Sequence, residues 1–231
     1  MISTGEIVGG QVYWNSGGST TAAEQPAGMS DMEWQCRRWY PYCWLSGDHI
    51  VEQHVHNIDV MNWALGSHPI SAMGMGGREV RRSGNIWDNF AVDYEYPGGV
   101  RFLSMCRQIP GCTDRVAERI VGAKGVAHIN GNTGHIEGAQ TYQAGRSPNP
   151  YLQEHADLLR SIRAGTALNE GLTVAESTLT AIMGRMSAYS GKLVTWDWAL
   201  NESKLDLRPA KLEFGPLPVG PVPVQGQTPL I

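Results

Sequence analysis

The chain has 231 residues, with 18 Lys plus Arg against 22 Asp plus Glu, a formal charge of -4, 42% hydrophobic residues and only 17% charged ones. That is the composition of a folded chain with room for one large domain or two small ones. Mild acidity gives no general attraction to nucleic acid or to anionic membranes, and no apolar run approaches the roughly 18 residues that would span a bilayer.

Residues 7–14, IVGGQVYW, read as a strand. A polar, glycine-rich loop follows over 15–30. Residues 31–47 crowd Trp34, Trp39, Tyr40, Tyr42 and Trp44 together without a strict period, as a loop or short helices lining a pocket would. Residues 48–65 predict one helix, with Asp48 as its N-cap and Gly66 as its stop. On such a helix Val51, Val55, Ile58 and Leu65 form one stripe, and Glu52, His56, Asp59 and Trp63 form a second.

From residue 70 the period becomes 2, over about 70–80, 88–96, 100–108, 114–121 and 125–130. Tyr96-Pro97-Gly98-Gly99 and Gly122-Ala123-Lys124-Gly125 read as turns between strands. Two helices follow over 149–164 and 171–189, ended by Gly165 and Gly191, then a helical turn at 196–200 capped by Thr195. Beyond residue 207, Pro209, Pro216, Pro218, Pro221, Pro223 and Pro229 exclude a regular helix or a central strand. The expected fold is therefore α+β, a predominantly antiparallel open sheet with helices on one face, over 1–207, plus an extended proline-rich tail over 208–231.

No G-x-G-x-x-G follows a predicted strand and no G-x-x-x-x-G-K-S/T occurs, so no Rossmann domain or other usual nucleotide cradle is expected. The first residues, MISTGEIVGG, lack the basic-then-apolar pattern of a signal peptide. Cys36, Cys43, Cys106 and Cys112 show no C-x-x-C spacing and read as free thiols. These features together predict a cytoplasmic protein with no metal site.

The chemistry concentrates at 48–66. An imidazole beside a carboxylate is the usual general acid/base near neutral pH, and Glu52 and His56 have i,i+4 spacing. Spacing alone leaves three readings open: an acid/base pair, a solvated and mutually paired face, or part of a metal site. His54 points to another face, and the pattern is not H-E-x-x-H. His49, near the helix entrance, can reach a pocket. Trp39 and its aromatic neighbours can stack on a sugar or simply pack. Trp87, between two strands, is a further candidate contact. Arg107 at a strand end can bind a hydroxyl or carboxylate, or pair with Asp88 or Glu95.

The stretch GDHIVEQHVHNIDVMNWALGSHP resembles the motif D-x-G-x-H-x-x-D-x-x-x-W-x-x-G that opens the C-terminal domain of the glucose–fructose oxidoreductase / inositol dehydrogenase / rhizopine catabolism family. His56, Asp59, Trp63 and Gly66 match it. Glu52 stands at the first Asp, and Gln53-His54 departs from the usual small residue and glycine. Asp88, the stretch DNFAVDYEYPGGV, the run from Glu118 to Val126 and the NPYLQEH helix are similar as well.

The resemblance implies a sugar or polyol substrate, with His56 as acid/base and Glu52 orienting the substrate. Asp59, His49, Trp87, Arg107 and Trp39 then make up the substrate-binding set, Asp59 by holding the helix or the imidazole. It implies NAD or NADP in full-length relatives, bound by an N-terminal Rossmann domain that this sequence lacks, so the chain starts where the family's second domain starts. A separate Rossmann-domain chain, or no cofactor at all, follows for this chain taken alone. A homo-dimer or tetramer through the open sheet face is expected, with no nucleic acid and no membrane. The alternatives are a non-redox carbohydrate-binding or oligomer scaffold, and a nicotinamide-independent sugar lyase, epimerase or hydrolase.

Overall fold

The alternating segments become strands because one side of each is apolar enough to bury. The computed structural model describes residues 4–18, 24–131, 133–145 and 147–231. Residues 19–23 of the glycine-rich loop lie outside that set. In chain order the elements are β1 (Ile7–Ser16), α1 (Asp31–Arg37), α2 (Cys43–Ser46), α3 (His49–Glu52), α4 (Val55–Leu65), β2 (Ser71–Gly77), β3 (Asn89–Glu95), β4 (Arg101–Gln108) and β5 (Arg115–Gly122). They continue with β6 (Gly125–Asn130), β7 (Gly134–Gly138), β8 (Tyr142–Gln143), α5 (Pro150–Ala164), α6 (Gly171–Ser190), β9 (Val194–Thr195) and α7 (Trp196–Asn201).

The described residues form one open sheet of order β8-β7-β6-β5-β1-β4-β3-β2-β9. The two glycine-bearing turns close hairpins β3–β4 and β5–β6. One strand departs from the antiparallel pattern. β1 inserts between β4 and β5, parallel to β4 (Gly9↔Arg101 to Ser16↔Gln108) and antiparallel to β5. The connection over 109–114 carries Pro110 and Gly111 and passes over the end of β1 instead of turning tightly. The fold class stands: a mixed, mostly antiparallel open sheet flanked by helices.

The sheet's buried face supplies Val12, Val92, Tyr94, Phe102 and Ile120, against Ile50, Ile58, Met61, Met183 and Ala188 of the helices. α6 lies almost on the strands. A Cβ on Gly74 of β2 would meet the Ala188 N at 2.9 Å and the Gly184 carbonyl at 3.0 Å, and one on Gly184 would meet the Tyr94 hydroxyl at 2.0 Å. Only glycine permits that approach. Tyr94 Oη then donates to the Thr180 carbonyl (3.0 Å), and Gly74 N–H to Ser187 Oγ (2.8 Å).

The helix expected over 48–65 is broken. The N–H groups of Gln53 and His54 both reach back to the His49 carbonyl (3.0 and 3.1 Å), and α4 begins only at Val55. The break falls where His54 turns into the sheet, to meet Ser104 of β4. Glu52 and His56 therefore belong to two helices, not to one continuous stripe.

After residue 207 the chain is irregular and straps the helical layer. Leu217 N–H donates to Asp31 Oδ2 (3.0 Å), Gln35 Nε2 to the Leu217 carbonyl (2.6 Å), and Gln225 Nε2 to the Gly74 carbonyl (3.1 Å). The opposite face of the sheet is open, with Met73, Met75 and Leu103 exposed, and Arg101 paired with Asp93 and Glu95. No helix among the described residues is long and apolar enough to cross a membrane.

Candidate functional site

The strands β1 and β4 end side by side at Ser16 and Gln108. A cavity of about 610 Å³ opens there, on the helical side of the sheet. Trp14, Ser16, Gln108 and Val116 line it from the strands, Arg37, Arg38, Trp39, Tyr40 and Pro41 from α1 and its exit loop, Gln53 from the end of α3, and Arg81, Arg82 and Ser83 from the β2–β3 loop.

Gln108 is the hub of its floor. Its Nε2 donates to Tyr40 Oη (2.7 Å) and to Gln53 Oε1 (2.8 Å), while its Oε1 accepts from Arg81 Nη2. Three separate segments are tied together by one buried amide. The β2–β3 loop is fixed from the other side by Asp88. Its carboxylate accepts the backbone N–H groups of Glu79 (2.9 Å), Val80 (2.7 Å) and Arg81 (3.2 Å).

His56 is exposed on α4, its ring 5.8 Å from that of Trp14, whose indole is part of the cavity wall. Glu52 is half-buried, and its Oε2 is a buried acceptor with no hydrogen-bond partner among the described residues. Burial raises the Tyr40 hydroxyl pKa well above its ordinary value, and the nearby Glu52 carboxylate pushes in the same direction. Glu52 is thus a neighbour of the cavity through Tyr40. Asp59 accepts from Ser177 Oγ (2.6 Å), which ties α4 to α6. Trp39 is 42% exposed at the cavity wall, with its ring 5.4 Å from that of Tyr40.

The remaining expected contacts lie elsewhere. His49 is fully buried: Nδ1 faces Asp48 Oδ1 at 3.1 Å, and Nε2 has no partner among the described residues. Asp48 also accepts from its own helix at His49 N (2.6 Å), from Trp87 N (2.7 Å) and from Tyr189 Oη (2.5 Å). This anchored carboxylate holds Asp48 at φ 74, a backbone conformation that L residues rarely adopt. The Asp48–His49 pair has acid/base composition, but it is sealed inside the packing of α3, β3 and α6. Trp87 is buried, with Nε1 donating to the Pro223 carbonyl of the strap (2.9 Å). Arg107 lies across the sheet from the cavity. Its Nη2 donates to the Thr113 carbonyl (2.7 Å), so it pairs with neither Asp88 nor Glu95, and its Nε is buried without a partner among the described residues.

Beneath the site runs a buried polar chain, Ser104–His54–Asn57–Glu118. Asn57 gives its amide N–H to Glu118, so its Oδ1 accepts from His54 Nδ1–H (3.2 Å), and His54 Nε2 accepts the Ser104 hydroxyl (2.7 Å). That fixes a neutral imidazole, and burial pushes the His54 pKa down to about 3. Burial pushes Glu118 upward, against the hydrogen bond from Asn57.

Sequence reasoning missed Gln108, Arg81, Gln53 and His54. Strand period contained the signal for Gln108: Arg107 is its neighbour, and one residue along a strand changes the face.

Among the described residues, His128, His135 and Glu137 are placed so that one metal ion could meet all three, with ligand atoms within 4.8 Å of one another. They sit on β6 and β7, apart from the cavity. The described residues form no βαβ unit with a glycine-rich turn, the arrangement that holds a dinucleotide pyrophosphate.

A mixed open sheet with its helical layer on one face, and a cavity at the ends of its central strands, defines the class. Residues 21–166 match the oxidoreductase family, C-terminal alpha/beta domain (GFO_IDH_MocA_C), and the chain belongs to that family. No curated protein sequence is significantly similar to it. Among solved structures, the UDP-N-acetylglucosamine 3-dehydrogenase GnnA of Acidithiobacillus ferrooxidans is similar at 15% identity and TM-score 0.61, over 80% of this chain and 54% of that one. The aldose-aldose oxidoreductase of Caulobacter crescentus, complexed with glycerol, is similar at 14% identity and TM-score 0.62, over 83% and 56%. An oxidoreductase of Agrobacterium radiobacter in complex with NAD+, L-tartaric acid and magnesium is similar at 14% identity and TM-score 0.63, over 83% and 57%. At these identities the likeness is one of fold, and the chain spans little more than half the length of those proteins.

Proposed function

We propose that this chain is the substrate-binding and assembly domain of an NAD(P)-dependent sugar or polyol oxidoreductase, with the sugar seated in the cavity at the ends of β1 and β4. The observation that carries the reading is the make-up of that cavity. Flat aromatic faces from Trp14, Trp39 and Tyr40 surround a hydrogen-bonding floor centred on Gln108, which is what a polyhydroxylated ring needs for both its apolar face and its hydroxyls. The substrate classes in the names of the similar dehydrogenase and aldose oxidoreductase support it.

In this reading His56, exposed and beside Trp14, takes the proton of the reacting hydroxyl, and Glu52, half-buried behind Tyr40, orients the substrate through the Tyr40 hydroxyl. Asp59 is a positioning residue that holds α4 through Ser177. The dinucleotide would be held by residues outside this domain, in the same longer chain or in a separate one. The open face, with exposed Met73, Met75 and Leu103, is the proposed contact between copies.

Titration of the chain with aldoses, alditols and inositols, followed by tryptophan fluorescence, tests the reading. Saturable binding is expected, and Glu52→Gln should weaken it about tenfold, since a hydrogen bond to a charged group contributes about 1.5–3 kcal/mol. No saturable response to any of these compounds overturns it.

A further inference from the structure

The chain is acidic overall, with a formal charge of -4, yet the cavity at the ends of β1 and β4 is basic. Four of the residues lining it are arginines, Arg37, Arg38, Arg81 and Arg82, and no aspartate or glutamate is among the described residues of the wall. Arg37 is neutralised by Glu33 at 2.9 Å. The other three have no carboxylate partner among the described residues.

Arg81 is the telling member. It is only 6% exposed, and its guanidinium is held by two neutral acceptors and one ring: Nε donates to the Trp87 carbonyl (2.8 Å), Nη2 to Gln108 Oε1, and Cζ lies 5.7 Å from the Tyr40 ring centroid. Its Nη1 has no hydrogen-bond partner among the described residues. Burying a cation among neutral dipoles is costly unless a counter-charge arrives. Arg82 spends Nη1 on the Glu79 and Arg81 carbonyls (3.2 and 3.3 Å) and keeps Nη2 unbonded among the described residues. Arg38 has a ring contact, its Cζ 5.8 Å from the Trp34 centroid. The loop that presents Arg81 and Arg82 is itself rigid. Asp88 gathers its amides, and Arg78 binds the Gly84 carbonyl (2.8 Å) and the Ser83 carbonyl (3.2 Å).

We infer that the cavity takes a sugar that carries an oxyanion, a carboxylate or a phosphate, held by Arg81 and Arg82 with Arg38 at the entrance. This rests on the proposed reading of the cavity as a sugar site and adds its charge specificity. A planar guanidinium matches both oxyanions with paired N–H donors, and desolvation inside the cavity strengthens the attraction. A neutral sugar would leave the cation with neutral acceptors and the Tyr40 ring, and with no directly bonded counter-charge among the described residues. The same oxyanion chemistry could be supplied by the phosphates of a dinucleotide, so the test carries an arm for each source.

The full 231-residue chain is titrated calorimetrically with glucose, glucose 6-phosphate, glucuronate, inorganic phosphate and NADP. The expected result is that glucose 6-phosphate or glucuronate binds at least about tenfold tighter than glucose, and that the advantage shrinks as salt rises. The variants Arg82→Gln and Arg38→Gln, which leave Arg81 and the floor in place, should together at least halve that advantage, read as the ratio of charged-sugar to glucose affinity within the same variant, and an unchanged ratio overturns the inference. Equal affinity for glucose and its charged derivatives overturns the inference and spares the sugar reading. Binding of NADP with no sugar binding overturns both and assigns the arginines to a dinucleotide, and binding of inorganic phosphate alone also overturns both. No binding by any probe also overturns both.

Discussion

α5 and α6 look alike in the sequence and behave as opposites in the structure. Both end on a glycine in the left-handed region, Gly165 at φ 67 and Gly191 at φ 70. α5 is the more strongly amphipathic, and yet none of its fifteen residues is buried. α6 buries most of its second half, from Ser177 to Ser190, using serine, glycine and alanine as much as apolar bulk. Amphipathicity states only that one face favours cover. Whether the cover lies within this chain depends on close approach, and α6 achieves that approach through Gly74 and Gly184, where any Cβ would collide.

The two helices separate most sharply when one apolar side chain is cut back on each. Met183 is fully buried between α6 and the sheet, and Met183→Ala should cost about 2–5 kcal/mol in urea unfolding, as large-to-small core changes do. A loss below about 1 kcal/mol would mean that α6 is not packed as described.

The same contrast explains what could be read in the sequence. Turn and cap chemistry was legible: the glycines after residues 65, 164 and 190, the Pro97-Gly98-Gly99 turn and the Asp48 and Thr195 caps all act locally, and each is where pattern places it. β1 between β4 and β5 was not legible, because a parallel neighbour far along the chain leaves no local mark. The break at Gln53 and His54 was hidden by a good helical period over 48–65, and only the tertiary bond from His54 to Ser104 reveals it. Within the site, the aromatic cluster near residue 40 left a pocket wall and plain packing both open, and only Trp39 and Tyr40 of it line the cavity. Its floor did not announce itself, since Gln108, Gln53 and Arg81 come from three distant segments and meet only in the fold. Arg107 shows how narrow the margin is, with the right strand end but the wrong face.

The covered side also holds a fully buried titrating group. His54 is neutral in the fold with a pKa of about 3, against an ordinary value of 6.5. The unfolded chain therefore binds a proton that the folded one refuses as pH falls below 6.5. Stability contributed by this group is complete above pH 6.5 and declines by about 1.4 kcal/mol per pH unit toward pH 3. Glu118, raised by burial, acts in the opposite sense, losing its contribution as pH climbs from its ordinary 4.5. The quantity to measure is thus the difference between the parent and His54→Gln across pH 7 to about 4.5. The variant should show a shallower fall, and parallel curves would remove His54 as the titrating group.

The smallest expected effect tests the other half of the comparison. Ile162 is 65% exposed on α5, and Leu158 and Leu159 are 51% exposed beside it. Surface changes away from packed features stay within about 0.5 kcal/mol, so Ile162→Ser should leave the urea midpoint of this chain nearly unchanged. The informative reading is its dependence on protein concentration. If α5 stands uncovered, the parent and variant midpoints agree at every concentration. If a second copy covers the stripe, the parent gains stability as concentration rises and the variant does not, because association stabilises only the folded state. That outcome would move α5 to the same side of the comparison as α6, with its cover supplied between chains instead of within one.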